Sequence, residues 1–425
     1  MQRRFRIPAD NRTSVSKLRT THWQQRLISQ HEFLNLIPFF KLPRTILVII
    51  LSQWITLETL CIFDTAVNSR NSRDYLLQDI FLDEGFIVPS NSLENRQENS
   101  TESIQNAVLL AKYLHFRQLF VKIFDFTHWF FPIEDISDFL QYLWHFDVDN
   151  ERYRHFRALI LPQSFITFEL ANVVGSKLQY LWYLSLSGCG HALGDFEFQN
   201  LIFTCRNLRC LDISNCSSIT CDAITFMAKR CALLNHFIWH GHNTNFYVFV
   251  FALGEYCRNL QLLDLSSQKC RRMTDRDLGL VNPARHYKHL NYLNLSGCDQ
   301  LTERGIIYLV SSLKTLEYFT MCFERPGNGT WRGWEGPTPI TDQCIIDLSI
   351  HNPLLQEIYL RGCDLVTNNC LLPLSRNCKV LKHLDVTGSS CTPEGYDSFN
   401  HDNQVIIPMG EYIHVPFYVQ HLYIL

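Results

Sequence analysis

Three histidines, His236, His240 and His242, stand in the pattern HxxxHxH, a spacing at which imidazoles could gather a metal ion. On an extended chain side chains alternate, so His236 and His240 share a face while His242 falls at the strand end. No carboxylate or cysteine completes a ligand set with them, and surface or turn histidines are the simpler reading. Asp212, Asp264 and Asp385 would support acid–base chemistry only beside a second acid, and none lies at short spacing. Phosphate-binding glycine loops, a nucleophile elbow and a paired-histidine zinc helix are all missing from the sequence. The expectation is a protein that is not an enzyme and takes neither cofactor nor metal.

Cysteine is the other reactive residue. There are 16, and 15 of them follow residue 180. No Cys-x-x-Cys occurs, which removes the commonest zinc and redox signatures. The sequence has no secretory signal, so reduced thiols in the cytoplasm or nucleus are expected. The cysteines return at fixed places in a repeat.

From Phe156 the pattern apolar-x-x-apolar-x-apolar-x-x-Cys or polar recurs in nine copies, among them LWYLSLSGC, LRCLDISNC, LNYLNLSGC and LQEIYLRGC. The copies begin at Phe156, Leu181, Leu208, Leu234, Leu260, Leu290, Leu316, Leu355 and Leu381. Seven of the eight intervals lie between 25 and 30 residues, so each copy is one supersecondary unit that stacks on its neighbours. The alternation x-Leu-x-Leu-x predicts a short strand with its leucines toward the core. Cys189, Cys216, Cys298 and Cys363 end such strands, where a small thiol fits a tight turn and reaches carbonyls of the next coil.

A second signature follows each strand: ITCDAI, MTDRDL, LTERGI, ITDQCI and VTNNCL. Its threonines, Thr220, Thr274, Thr302, Thr341 and Thr367, are predicted helix N-caps whose hydroxyls accept an orphan N–H. Thr392-Pro393-Glu394 repeats the idea with proline at the first helical position. Each helix runs to another cysteine, Cys205, Cys231, Cys257 or Cys378, before the next strand.

This sequence resembles the cysteine-containing leucine-rich repeats of F-box/LRR proteins over about Phe156 to Pro393. The resemblance implies an α/β fold: a right-handed solenoid with a parallel sheet on the concave side and helices on the convex side. Two copies depart from the pattern, with His242 and Gln268 in place of the strand-ending cysteine. The copy at Leu316 carries the insertion RPGNGTWRGWEGPTP.

Residues 40–82 form a second module. Leu42-Pro43 opens it, Ile46, Leu47, Ile50 and Leu51 follow at helical spacing, and Leu57, Leu60 and Phe63 come after a break. The order resembles the F-box, a helical module that docks on the Skp adaptor of cullin–RING ubiquitin ligases. The tryptophan usual later in that module has no counterpart in Thr65–Arg70. The resemblance implies a Skp-type adaptor and cullin as partners, bound through Leu42, Pro43, Ile46, Leu47, Ile50 and Leu51, and a protein substrate on the repeats. The other reading is that these helices cap the apolar end of the solenoid.

Composition sets the remaining bounds. Net charge is −3, which argues against a nucleic-acid partner because phosphate binding needs a Lys/Arg excess. The longest uncharged apolar run, Thr45–Leu57, is too short to span a membrane, a feat that takes about 20 residues. Residues 1–30 hold seven Arg/Lys against Asp10 and read as a basic arm, a transit peptide or a nuclear address. Residues 88–106 read as a polar linker, 107–155 as an irregular cap or early repeats, 156–399 as the repeats, and 400–425 as a terminal cap.

Strand residues that alternate with the core leucines are expected to be exposed. Among them Tyr292, Tyr318, Glu357, Tyr359, Arg361 and His383 cluster over adjacent coils and form the candidate partner face, since Tyr and Arg are favoured at interface hot spots. The alternative is an ordinary polar face with no hot spot. Trp331 and Trp334, in the Gly/Pro-rich insertion, are a second candidate, anchored locally or waiting for a partner.

Overall fold

The computed structural model describes residues 87–90, 120–125, 156–161, 178–190, 193–240, 246–266, 273–279, 282–323 and 338–392, with a few single residues besides. The basic arm, the F-box-like module 40–82 and the tail 400–425 lie outside the described residues, as do His242, Trp331 and Trp334.

The described part is a single parallel sheet of eleven strands in sequential order. The strands are β1 (Ile87–Ser90), β2 (Phe120–Asp125), β3 (Ala158–Ile160), β4 (Tyr183–Ser185), β5 (Cys210–Asp212) and β6 (His236–Ile238). β7 (Leu262–Asp264), β8 (Tyr292–Asn294), β9 (Tyr318–Thr320), β10 (Glu357–Tyr359) and β11 (His383–Asp385) complete it. Helices alternate with most of the later strands: α1 (Asp195–Ile202), α2 (Cys221–Arg230), α3 (Phe246–Tyr256), α4 (Asp275–Gly279), α5 (Pro283–His286), α6 (Glu303–Ser312), α7 (Asp342–His351) and α8 (Leu371–Asn377). This is the α/β leucine-rich-repeat solenoid expected from the repeat. One assignment changes: residues 88–90, read as the start of a linker, lie in β1, where Val88 and Ser90 stand in register with β2. Phe120–Asp125 is a sheet strand in register with β3, as an early repeat would be.

Register explains the repeat. The middle residue of each three-residue strand faces the same residue of the next: Leu159, Leu184, Leu211, Phe237, Leu263, Leu293, Phe319, Ile358 and Leu384. All are buried, as is the second apolar column two residues on, Leu161 through Val386. Pairing continues past each strand, for example from Leu186 N to Asp212 O at 2.8 Å and from Leu360 N to Asp385 O at 2.7 Å. One residue before the strands, the Trp182 ring lies between the guanidinium groups of Arg157 and Arg209, at 4.9 and 4.4 Å.

The turn after the strand demands a left-handed backbone just before the cysteine. Gly188 (φ 77°), Asn215 (φ 58°), Gly297 (φ 76°) and Gly362 (φ 71°) supply it, which is why SGC, SNC and RGC recur. The thiols then reach back one coil as expected. Cys189 Sγ donates to Leu161 O (3.3 Å), Cys216 Sγ to Leu186 O (3.0 Å) and Cys363 Sγ to Met321 O (3.2 Å). Behind the helices, Cys231 Sγ donates to Cys205 O (3.2 Å) and Cys257 Sγ to Cys231 O (3.5 Å). Asn352 replaces cysteine in one coil, and its amide donates to Val310 O at 2.9 Å. Burial pushes the Cys257 thiol up to about 12, so it serves as a donor and not as a nucleophile.

The threonines stand at N-cap positions, but their hydroxyls act differently from the expectation. Those of Thr220, Thr302 and Thr341 make no cap bond to their own helix. Each donates to the acid that opens the helix one coil earlier. Thr220 gives its N–H (2.7 Å) and Oγ1–H (2.5 Å) to the two oxygens of Asp195. Thr367 does the same to Asp342 at 2.7 and 2.6 Å, and Thr302 to Asp275. Thr341 donates to Glu303, and Thr392 N–H to Asn368 Oδ1 at 2.9 Å. A carboxylate at a helix start is favoured by the helix dipole and is the stronger acceptor, so it takes the hydroxyl. Two of these hydroxyls also accept: Thr367 from Asn369 N at 3.3 Å, and Thr392 from Gly395 N at 3.3 Å, the cap bond expected there.

The incoming acceptor, a carboxylate or in the last coil the Asn368 amide, needs room at the third helical position, which suits Ala223, Gly305, Cys344, Cys370 and Gly395 there; Asp277 is the exception. A Cβ on Gly305 would stand 2.1 Å from Asp275 Oδ1. Gly305→Leu is therefore expected to cost about 1–3 kcal/mol by displacing Asp275. Combined with Thr302→Val it should cost clearly less than the sum, because both changes break one contact. Urea unfolding of the two single variants and the double variant measures this.

Candidate protein-binding face

The first and third residues of the strands line the open face of the sheet. Read by register, the first column is Ala158, Tyr183, Cys210, His236, Leu262, Tyr292, Tyr318, Glu357 and His383. The third is Ile160, Ser185, Asp212, Ile238, Asp264, Asn294, Thr320, Tyr359 and Asp385. The expectation that these positions are exposed fails over most of the face. Tyr183, Cys210, Asp212, Leu262, Asp264 and Tyr292 are buried, Tyr292 to 4% exposure. Parallel strands about 4.8 Å apart set like positions side by side, so neighbouring side chains cover one another. Ala158, Tyr183 and Cys210 form one apolar cluster. Ile238, Leu262 and Tyr292 form another, against which Tyr318 packs.

The buried polar members are consumed as turn formers. Asp212 Oδ1 accepts from Ser214 N (2.9 Å) and Ser214 Oγ (2.5 Å), while Oδ2 accepts from Ser185 Oγ (3.2 Å). Asp264 accepts from Ser266 N (2.9 Å) and Asn294 Nδ2 (3.1 Å). Asp385 accepts from Thr387 N (3.1 Å) and Thr387 Oγ1 (2.7 Å). Each carboxylate closes a turn two residues ahead, so none is a spare acid for catalysis.

His240 joins this network. Its Nε2 lies 3.0 Å from Ser266 Oγ and 3.5 Å from Asp264 Oδ1. A catalytic serine, histidine and aspartate need their two contacts on opposite ring nitrogens, and here both fall on one, so His240 bridges and does not relay. Among the described residues no group of three or more His, Cys, Asp or Glu is arranged to hold a metal ion. Burial pushes the His240 imidazole down, but the hydrogen bond and charge of Asp264 more than reverse it and raise its pKa. Burial likewise pushes Asp264 up, and His240 and Ser266 outweigh this and hold it below its ordinary value.

Accessible groups concentrate at the carboxyl-terminal end of the face. Tyr318, Glu357, Tyr359, Arg361 and His383 are half-buried there. Tyr318 pairs in register with Glu357, which pairs with His383, and the Tyr292 and Tyr318 rings lie 6.1 Å apart. Tyr359 Oη donates to Glu357 Oε2 at 2.8 Å. Along the edge, Lys382 Nζ donates to Gln356 Oε1 (2.8 Å) and Gln356 Nε2 to Glu317 Oε2 (2.7 Å). Burial raises the Tyr318 phenol, and the charges of Glu357 and Glu317 raise it further.

Arg361 is not the open hot spot the sequence suggested. Its Nε donates to Asp385, which is 0% exposed, and the Arg361 side chain is itself 13% exposed. The signal for this pair was in the sequence: the two residues stand 24 apart, close to one repeat. Thr320, which alternation likewise puts among the exposed positions, is buried. Its hydroxyl is buried on the same face without a hydrogen-bond partner.

No family model matches the chain. A curated relative, F-box/LRR-repeat protein 4 from Bos taurus, is 27% identical over 222 residues. That stretch is 52% of this chain and 32% of the relative, so the match spans about a third of the relative's length. Among solved structures, a chain of the yeast Rad7 and Elc1 complex has a TM-score of 0.44 at 17% identity, covering 81% of this chain and 84% of that one. An internalin (inlF) from Listeria monocytogenes has a TM-score of 0.39 at 14% identity, covering 74% and 78%. No described helix is long and apolar enough to cross a membrane.

Two predictions follow from the buried charges. Asp385→Ala leaves Arg361 without its counter-charge and should lower stability by up to about 3–5 kcal/mol in urea unfolding. The contact between His240 and Asp264 stabilises fully below the unfolded histidine value of 6.5 and fades as pH rises through the raised folded value. It is also lost at the acid end, as pH falls through the lowered pKa of Asp264. The unfolding-temperature gap between wild type and His240→Leu should therefore peak in mildly acid buffer and narrow toward alkaline pH. The in-register repeat with its thiol and threonine ladders makes the described part of this chain a leucine-rich-repeat solenoid, and about half of the chain is similar in sequence to F-box/LRR-repeat protein 4.

Proposed function

We propose that the chain is a non-catalytic, substrate-recruiting subunit of a Skp–cullin–F-box ubiquitin ligase. The observation that carries this reading is the pairing of an F-box-like segment, Leu42 to Leu51, with cysteine-type repeats that resemble a curated F-box/LRR protein. In this reading the repeats hold a protein on the open face around Tyr318, Glu357, Tyr359 and His383. Leu42, Pro43, Ile46, Leu47, Ile50 and Leu51 dock a Skp-type adaptor, which links to a cullin. The chain then acts by raising the effective concentration of target lysines near a ubiquitin-loaded enzyme. The cytoplasm or nucleus suits it, since the buried thiols work as S–H donors and need a reducing setting.

A leucine-rich-repeat scaffold with no ubiquitin link is the second reading, favoured by the missing later tryptophan of the F-box-like segment. Co-purification separates the two. Wild type should capture the adaptor and cullin, and a variant with Ile50→Asp and Leu51→Asp, folded by circular dichroism, should lose both. Failure of wild type to capture an adaptor sinks the ligase reading and leaves the scaffold. An unfolded variant marks Ile50 and Leu51 as core of a cap.

A further inference from the structure

The accessible end of the open face has an unusual chemistry. Glu357 sits at the centre, with Tyr318 in register on one side, His383 on the other, and Tyr359 two residues along its own strand. Tyr359 occupies one carboxylate oxygen of Glu357, Oε2, through its hydroxyl. The neighbouring positive charge of Arg361 is already matched by Asp385, and Lys382 turns its ammonium to Gln356. Glu317 adds a second acid close enough to bear on the Tyr318 phenol. Aromatic faces beside an acid attract cations, through the ring quadrupole and through charge.

Thr320 is a second and independent observation. Strand alternation puts it on the same face as Tyr318, and register sets it beside Tyr359. The residue is 5% exposed, and its buried hydroxyl has no hydrogen-bond partner. A buried polar atom left unpaired is disfavoured, and a donor brought by a bound molecule removes the deficit. Arginine and lysine carry several N–H donors and no acceptor, so one such head can serve Glu357 and Thr320 together.

We propose that Tyr318, Thr320, Glu357 and Tyr359 form a subsite for an arginine or lysine side chain of the protein held on this face. The inference rests on the reading of the face as a protein-binding surface and adds the chemistry it selects. It implies that the bound segment is basic and that acidic or phosphorylated segments are turned away.

The test is an array of 13-residue peptides that differ only at the central position, Arg, Lys, Gln or Glu, probed with the purified full chain. Arg and Lys peptides should bind about tenfold better than their Gln counterparts, as one charged hydrogen bond warrants. Glu357→Gln keeps an oxygen for the Tyr359 hydroxyl and should abolish the preference. Thr320→Val removes the orphan hydroxyl and should weaken Arg and Lys peptides alone, with unfolding temperature unchanged or raised. A preference that survives in Glu357→Gln, binding blind to the central residue, or no binding to any peptide overturns the subsite. Those outcomes leave adaptor capture untouched, so the co-purification above separates failure of the subsite from failure of the recruitment reading.

Discussion

Everything in this solenoid depends on a three-residue strand finding the same three residues of the next coil directly opposite. So short a strand has too few bonds to hold a sheet alone, and a parallel pair gains little per residue. What fixes it is repetition of the whole environment. Leu184 meets Leu211, Cys189 reaches Leu161 O one coil back, and Thr220 grips Asp195 on the helix side. Each coil is tied to its neighbour through the core, the turn and the helix start at once. A slip by one residue would break all three and bring polar side chains into the leucine column. The result is a stack whose stability is a sum over neighbour interfaces.

That same closeness limits what the open face can offer. Side chains that would stand out on an isolated strand are shielded by their copies on either side, and the aspartates among them are occupied by the turns. Among the described residues the face is thus sealed along Tyr183, Cys210, Leu262 and Tyr292, and its half-buried groups gather from Tyr318 on β9 to His383 on β11, with Ile160 and His236 as isolated ones. Accessible polar groups in such a sheet belong to positions where the column changes character, as it does where tyrosine gives way to Glu357.

Much of the fold was legible because the repeat projects directly onto geometry. The leucine columns, the strand-ending thiols and their carbonyl partners follow from spacing and alternation. Exposure was not legible, because alternation says which face a residue shares and not how closely the next coil covers it. Alternation alone makes Tyr292 and Arg361 read as open, whereas Tyr292 is buried and Arg361 is matched by Asp385. The threonines illustrate another gap. A local motif shows a cap position, but the competing acceptor sits about 25 residues away on the preceding coil, and only the fold brings it near. The small residue at the third helical position was visible in most copies as Ala, Gly or Cys, with Asp277 the exception, yet its reason is that distant acceptor.

The contact between Thr341 and Glu303 carries a wider consequence. Its partners are 38 residues apart, against 25 for Thr367 and Asp342, yet the two coils are joined in the same way. Loop closure costs free energy only as the logarithm of loop length, so the stack accepts a longer connection at little thermodynamic loss. Such a junction is a place where heritable variation can lengthen the chain without disturbing inheritance of the fold. Chain length can therefore change at this one connection while the coils on both sides keep their fit.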